Sequence, residues 1–277
     1  MTSNTTIIIH SRVAAGYVGS NTTTLVLQMG GYEVINIPTV LYSNHLSHST
    51  VGGGIIPYDL FSDILKGVMK LDILKSVSTI ITGFIGTAEQ AVIIAEFIRT
   101  LKSIKPDITY ICDPVMGDLG KGQYVGSEIP SAIIEQLVPL ADLLTPNQFE
   151  VEKIIGKNID YSIELPLQLQ ERFDLSKQAI IITGGDDTSE NTLITNTIIQ
   201  DGKFSTVSSK KINLYPPGTG ELFTAHTYLS MLRGNTLKDA VSVSGDILSA
   251  VILKMFNDNK IDFEIEDILY SMDFQNR

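Results

Sequence analysis

Two clusters of residues in this chain have the types and spacing for phosphoryl chemistry. Pro216-Pro217-Gly218-Thr219-Gly220-Glu221 sets two glycines and an acid directly ahead of an apolar helical pattern, Leu222, Phe223, Tyr228, Leu229 and Leu232. A loop feeding a helix in this way presents unpaired N–H groups and the positive end of a helix dipole, which suit a phosphoryl group in transfer. Glu221 beside it is a carboxylate able to take a hydroxyl proton. The same residues would also serve as a plain turn with an acid that favours the dipole. In the second cluster Asp113 and Asp118 stand just past an apolar strand, and Glu150 adds a carboxylate early in a later helix. Hard oxygen donors of this kind suit Mg²⁺ shared with nucleotide phosphates; the alternative is that the two aspartates cap turns. Lys121-Gly122-Gln123-Tyr124 reads as a mobile basic and aromatic flap beside them.

The elements that must position these groups alternate. Thr6–His10 is a β-branched run that empties into a glycine-bearing loop, followed by a helix near 20–30 and a second strand from Glu33 to Pro38. Tyr42–His45 and Gly52–Gly54 form a polar excursion, an edge hairpin or a lid. Helix over 58–71, strand Val77–Thr82, helix Ala88–Leu101 and strand Ile108–Cys112 follow, the last delivering Asp113 to its carboxyl end. A helix near 129–138, the short strand Ala141–Leu144 running into Thr145-Pro146-Asn147, a helix carrying Glu150 and strand Ala179–Thr183 ending at Gly184 continue the pattern. Two antiparallel strands around Asp201-Gly202 and a mainly helical last third complete it. This order predicts one α/β domain over 1–277, a three-layer α/β/α sandwich on a mostly parallel sheet, with ligands at the strand carboxyl ends.

Composition narrows the function classes. Asp and Glu outnumber Lys and Arg 31 to 20, a net charge of −11 that works against nucleic acid or anionic lipid as a partner. A single cysteine, Cys112, rules out an internal disulfide and a cysteine-rich metal site, and it reads as a buried strand residue. No apolar run is long enough to span a membrane and residues 1–5 lack a signal-peptide pattern, so a cytoplasmic protein is expected. His10, His45, His48 and His226 show no helical metal-ligand pairing.

Taken together, Asp113-Pro-Val-Met-Gly-Asp118, Lys121-Gly-x-Tyr124, Leu144-Thr-Pro-Asn147 with Glu150, and Gly218-Thr-Gly220 resemble the vitamin B6 kinase branch of the ribokinase-like fold. Ser11-x-Val13, Gly16-Tyr-Val-Gly19, Tyr42-Ser-Asn-His45 and Thr82-Gly-Phe-Ile-Gly-Thr-Ala-Glu-Gln90 are similar to pyridoxal kinases rather than hydroxymethylpyrimidine kinases. The resemblance implies an ATP-dependent kinase for the 5′-hydroxymethyl group of pyridoxal, and of pyridoxine and pyridoxamine, using Mg²⁺ and a monovalent cation such as K⁺, and working as a homodimer. It implies that Ser11, Val18, Tyr42, His45, Leu46 and Phe84 surround the vitamin ring. Asp113, Asp118, Lys121, Tyr124, Thr145, Asn147, Thr183 and Gly184 would line the ATP side, with Asp113, Asp118 and Glu150 organising the metal. Gly218, Thr219 and Gly220 would form the anion hole.

The chain departs from that pattern in three places. Glu221 stands at the family's catalytic aspartate, one methylene longer, and misplacing a base by about an ångström costs on the order of a hundredfold in rate. Leu46 replaces the threonine usual after Ser-Asn-His, and His48 to Gly54 do not match the usual lid. The competing readings are a kinase for another hydroxymethyl heterocycle, such as a pyrimidine, and a vitamin B6 binding protein with weak turnover or none.

Overall fold

The computed structural model describes residues 4–159, 165–185 and 192–275. The first half contains β1 (Thr5–Val13), α1 (Ser20–Met29), β2 (Glu33–Tyr42), β3 (Gly53–Ile55), α2 (Tyr58–Val68), β4 (Val77–Thr82), α3 (Ala88–Ile104), β5 (Thr109–Cys112), β6 (Gly117–Asp118) and β7 (Gly122–Gln123). The second contains α4 (Ile129–Ala132), β8 (Leu143–Leu144), α5 (Gln148–Ile155), α6 (Leu165–Gln170), β9 (Ala179–Gly185), β10 (Leu193–Gln200), β11 (Lys203–Lys210), α7 (Thr219–Leu232), α8 (Leu237–Asn257) and α9 (Ile265–Gln275). The expected helix near 129–138 is broken: α4 gives way to a π-turn over Ile133–Leu137 and a 3₁₀ turn over Val138–Leu140. Pro139, which has no N–H to continue the ladder, sits in that last turn.

Nine strands form one sheet in the order β11-β10-β9-β8-β5-β4-β1-β2-β3. Pairing is parallel from β9 through β2, whereas β3 at one edge and β10 and β11 at the other run antiparallel. Isoleucines of β1 show why this chain forms three layers. Ile7 and Ile9 face Phe61 of α2, Ile94 and Ile98 of α3 and Ile154 of α5. Ile8 faces Val26 of α1, Leu229 of α7, Val241 of α8 and Ile268 of α9. Both faces of the parallel strands are covered, so their sequences read as continuous apolar runs rather than alternating ones.

The site-bearing helix α7 differs from its sequence pattern. It was expected to show an apolar stripe, yet every residue from Leu222 to Ser230 is buried, polar ones included. Its His226 is satisfied internally, with Nδ1 2.6 Å from Gln275 Oε1 and Nε2 2.8 Å from Ser271 Oγ, both on α9, whereas Thr227 Oγ1 is buried without a partner.

The sheet order also fixes where ligands bind. The chain leaves β1 toward β2 and later returns to β4 on the opposite side of β1, so a crevice opens between the carboxyl ends of β1 and β4. Backbone bonds carry the ladder past the strands: Gly83 N–H donates to Ile9 O (3.1 Å), Asp113 N–H to Thr82 O (2.9 Å), Thr145 N–H to Cys112 O (3.1 Å) and Thr183 N–H to Pro146 O (2.9 Å). Five loop starts are thereby stacked along one edge.

The α7–α9 contact makes stability pH-dependent. Burial pushes the His226 imidazole down to about 4, with Gln275 opposing and Arg233 assisting. Below the unfolded value near 6.5 the unfolded chain takes a proton that the folded imidazole refuses, so stability falls as pH drops from about 6.5 to about 4. The loss should reach roughly 2 kcal/mol by about pH 5. Urea melts of the unmodified protein and His226→Gln at about pH 7 and pH 5 check this: the unmodified chain should lose more stability between them, and parallel losses would refute it.

Candidate functional site

The β1–α1 loop and the first turn of α7 meet across the crevice. Gly218 caps α7 with φ 96°, and a Cβ there would lie 2.5 Å from the Tyr17 carbonyl, so both backbone shape and space demand glycine. The first intrahelical bond runs from Leu222 N–H to Gly218 O at 3.0 Å, leaving the amides of Thr219, Gly220 and Glu221 ahead of it. Glu221 turns back to the opposite loop, where its Oε1 accepts from Gly19 N–H at 2.9 Å. Gly19 is pressed against β1: a Cβ on it would lie 2.3 Å from Ser11 Oγ.

A cavity of about 270 Å³ opens beside this junction. Gly16, Tyr17 and Val18 from the β1–α1 loop, His45 and His48 from the β2–β3 loop, and Pro217 just ahead of Gly218 line it, together with Asp262 and Phe263 ahead of α9. Val18 and His45 are in its wall, whereas Ser11, Tyr42, Leu46 and Phe84 are outside its lining. Ser11 Oγ sits 3.1 Å from His10 Nδ1, Tyr42 pairs with Gly53 at the sheet edge, and Leu46 is 48% exposed on the outer side of its turn. Phe84 is half-buried, and its carbonyl accepts from Thr39 Oγ1 at 2.7 Å.

On the other side of the crevice stand the acids. Asn147 caps α5 in a capping box: its Oδ1 accepts from Glu150 N–H at 3.0 Å and Glu150 Oε2 accepts from Asn147 N–H at 2.8 Å. The remaining atoms reach the segment after β5, with Met116 N–H donating to Glu150 Oε1 (3.0 Å) and Asn147 Nδ2 donating to Gly117 O (2.8 Å). Residues expected as a flap are therefore anchored at their base, and Gly117–Gln123 folds as the β6–β7 hairpin. Lys121 and Tyr124 remain exposed on it. Thr145 is buried, its hydroxyl 3.4 Å from that of Thr224 on α7, which places it between layers rather than on the open cleft. Thr183 bridges Asn147, and Gly184 donates its N–H to Asn196 Oδ1 at 3.2 Å.

Known proteins agree with this architecture. A family profile described as Phosphomethylpyrimidine kinase matches residues 28–265. Pyridoxal kinase from Arabidopsis thaliana is 41% identical over 152 residues, a stretch spanning 55% of this chain and 48% of that relative. Pyridoxal kinase from Sus scrofa is 31% identical over 231 residues, 78% of this chain and 71% of the relative. The chain belongs to the pyridoxal kinase family. Among solved structures, pyridoxal kinase from Leishmania donovani in complex with ADP and pyridoxamine superposes with a TM-score of 0.85 at 23% identity, over 99% of this chain and 96% of that one.

Within this pyridoxal kinase framework the cleft concentrates negative charge. Partial burial and then the fields of Glu150, Glu221, Asp113 and Asp118 raise the Tyr124 phenol, so four carboxylates face one space. Burial, followed by Glu150 and Glu221, holds the Asp113 carboxyl well above the usual carboxylate range. Burial pushes Glu150 up to about 8 against the backbone donors Asn147 and Met116. Asp118 is raised by desolvation, with Lys121 opposing. A divalent cation fits this surplus of hard oxygen donors. Such an ion would take few protein donors here and keep waters and phosphate ligands, as Mg²⁺ does.

Sequence reasoning missed three features. His45 and His48 were read as lacking a metal partner, yet both converge on Asp262, distant in sequence and brought in only by the fold. Phe263 in the cavity wall carries no local signal. His10 was expected to satisfy its hydrogen bonds; its Nδ1 accepts from Ser11 N–H at 2.8 Å, but Nε2 is buried without a partner.

The raised acids predict proton release. Burial pushes Glu150 up to about 8, so at about pH 7 it retains most of a proton that a bound cation displaces; magnesium–ADP binding should therefore release a substantial fraction of one proton, fading above about pH 8. Calorimetry in two buffers of different ionisation enthalpy reads it directly. Equal enthalpies in both buffers, or release undiminished in Glu150→Gln, would count against this account.

Proposed function

We propose that the chain transfers the terminal phosphoryl group of ATP to the 5′-hydroxymethyl group of pyridoxal, and of pyridoxine and pyridoxamine, giving the vitamin 5′-phosphate. One observation carries the reading: Glu221 is held by Gly19 at the start of α7, beside three unpaired amides and a cavity whose wall includes Pro217. The names of the relatives and the ADP and pyridoxamine of the Leishmania donovani structure support the same substrates.

In this reading the vitamin ring occupies the cavity against Val18 and His45, with Ser11, Tyr42, Leu46 and Phe84 around its margin. Glu221 accepts the hydroxyl proton as the new O–P bond forms, and the bond from the terminal phosphorus to its bridging oxygen breaks, leaving its electron pair on ADP. Amides of Thr219, Gly220 and Glu221 oppose charge on the moving group, with Gly218 shaping the turn. The nucleotide lies along Asp113, Asp118, Lys121, Tyr124, Asn147, Thr183 and Gly184, with Thr145 supporting from beneath. Mg²⁺, accompanied by K⁺, would be held near Asp113, Asp118 and Glu150 and would neutralise phosphate charge.

The same reading makes residues 1–277 a single cytoplasmic kinase domain. No described helix is long and apolar enough to cross a membrane. Homodimerisation is supported by exposed Leu41, Ile55, Tyr58 and Leu60 near the β3 edge. The matched family description favours a pyrimidine substrate as the second reading. Comparing kcat/KM for pyridoxal and for hydroxymethylpyrimidine decides between them.

Glu221 supplies the sharpest test. With Mg-ATP and pyridoxal the unmodified protein should form pyridoxal phosphate, and Glu221→Gln should lose about 10²–10⁴-fold in kcat with little change in the KM for pyridoxal. Glu221→Asp, too short to keep the Gly19 contact, should fall by about a hundredfold. Higher turnover in Glu221→Asp would mean that the backbone is set for aspartate, and no turnover by the unmodified protein would leave only vitamin binding.

A further inference from the structure

The β2–β3 loop meets the segment ahead of α9 at the rim of the cavity. His45 Nε2 lies 3.1 Å from Asp262 Oδ1, and His48 Nε2 lies 3.6 Å from Asp262 Oδ2. The two imidazole rings are 4.1 Å apart between centroids, and the three donor groups fall within 4.8 Å of one another. Ligands bound tetrahedrally at about 2.0–2.1 Å from zinc stand roughly 3.3–3.4 Å apart. The two contacts bracket that spacing.

Two further observations separate this cluster from ordinary surface charge. His45 is mostly buried, so its Nε2 is held against Asp262 away from bulk water. Asp262 has no lysine or arginine partner among the described residues. The neighbouring Glu264, Glu266 and Asp267 also converge, but Lys254 and Lys260 already stand where a cation would go.

We propose that His45, His48 and Asp262 bind a divalent transition cation, Zn²⁺ or a chemical relative such as Co²⁺ or Ni²⁺, at the rim of the cavity. Imidazole nitrogen selects such ions, whereas Mg²⁺ prefers the oxygen donors on the far side of the cleft, so the two metals do not compete for one site. Three protein ligands leave a fourth position for water or for an oxygen of a bound molecule. The ion also ties the β2–β3 loop to the segment ahead of α9. On the reading that the cavity holds the vitamin, the site sets how readily pyridoxal enters.

Metal uptake by tag-free protein, without nucleotide or vitamin, tests this independently of kinase activity. Equilibrium dialysis with Co²⁺ should give one ion per chain at micromolar concentration, with the intense visible absorption of a tetrahedral nitrogen–oxygen site. Zn²⁺ should displace it and a large excess of Mg²⁺ should not. His48→Ala and Asp262→Asn should each weaken uptake by at least about tenfold, taking the loss of a supporting group as a lower bound, while urea midpoints show that both variants remain folded. Absence of uptake, displacement by Mg²⁺, or uptake unchanged in both folded variants would each overturn the proposal. Added Zn²⁺ should further change the KM for pyridoxal in the unmodified protein and not in His48→Ala; an unchanged KM with metal bound would remove the gating role.

Discussion

Crowding of like charge is the constraint on which this cleft depends. Asp113, Asp118, Glu150 and Glu221 all act on Tyr124 in a molecule that already carries a net charge of −11. Anionic phosphates would add to the repulsion, so the cleft cannot take a nucleotide on electrostatic grounds alone. Burial raises the proton affinity of Asp113 and Glu150, which lowers the charge of the resting cleft, and on the proposed reading a cation would offset it when phosphates arrive. Unpaired amides at the start of α7 contribute positive potential without another charged side chain. On the proposed reading, the acids therefore make a cation a condition of nucleotide binding.

The sheet topology is what allows such a cleft to be built from distant residues. Reversal of strand order around β1 opens the crevice, and the continued backbone ladder from Gly83 to Thr183 fixes the loop starts before any side chain is considered. Asn147 and Glu150 then spend their polar atoms on one another and on Met116 and Gly117. They rigidify the acid-bearing segment, while the hairpin beyond it, with Lys121 and Tyr124, stays at the surface.

Most of this framework was legible in the residues because parallel strands covered on both faces leave a local mark. Ile7–Ile9, Val77–Thr82 and Ala179–Thr183 are runs that only a buried strand accommodates, and Gly218-Thr219-Gly220 announces a helix start through backbone demands. What escaped was determined by long-range packing. Nothing near His45 or His48 points to Asp262, more than two hundred positions away. The full burial of α7 was hidden because Thr224, His226, Thr227 and Ser230 look like a solvated face until α8 and α9 cover them. Thr145 likewise reads as a cleft residue in a motif and proves to be an interlayer contact.

Glu221 shows how a departure from a family pattern can be absorbed locally. A glutamate in place of aspartate carries its carboxylate about one bond farther, a displacement large enough to spoil a reacting geometry if nothing restrains it. Here Gly19 N–H receives that carboxylate at 2.9 Å. The restraint works because Gly19 has no side chain between Ser11 and the amide, and because Gly218 lets the Tyr17 carbonyl approach the start of α7. The longer side chain is thus held by an amide of the opposite wall. Whether a base is well placed depends on the two backbones that hold it as much as on its own length.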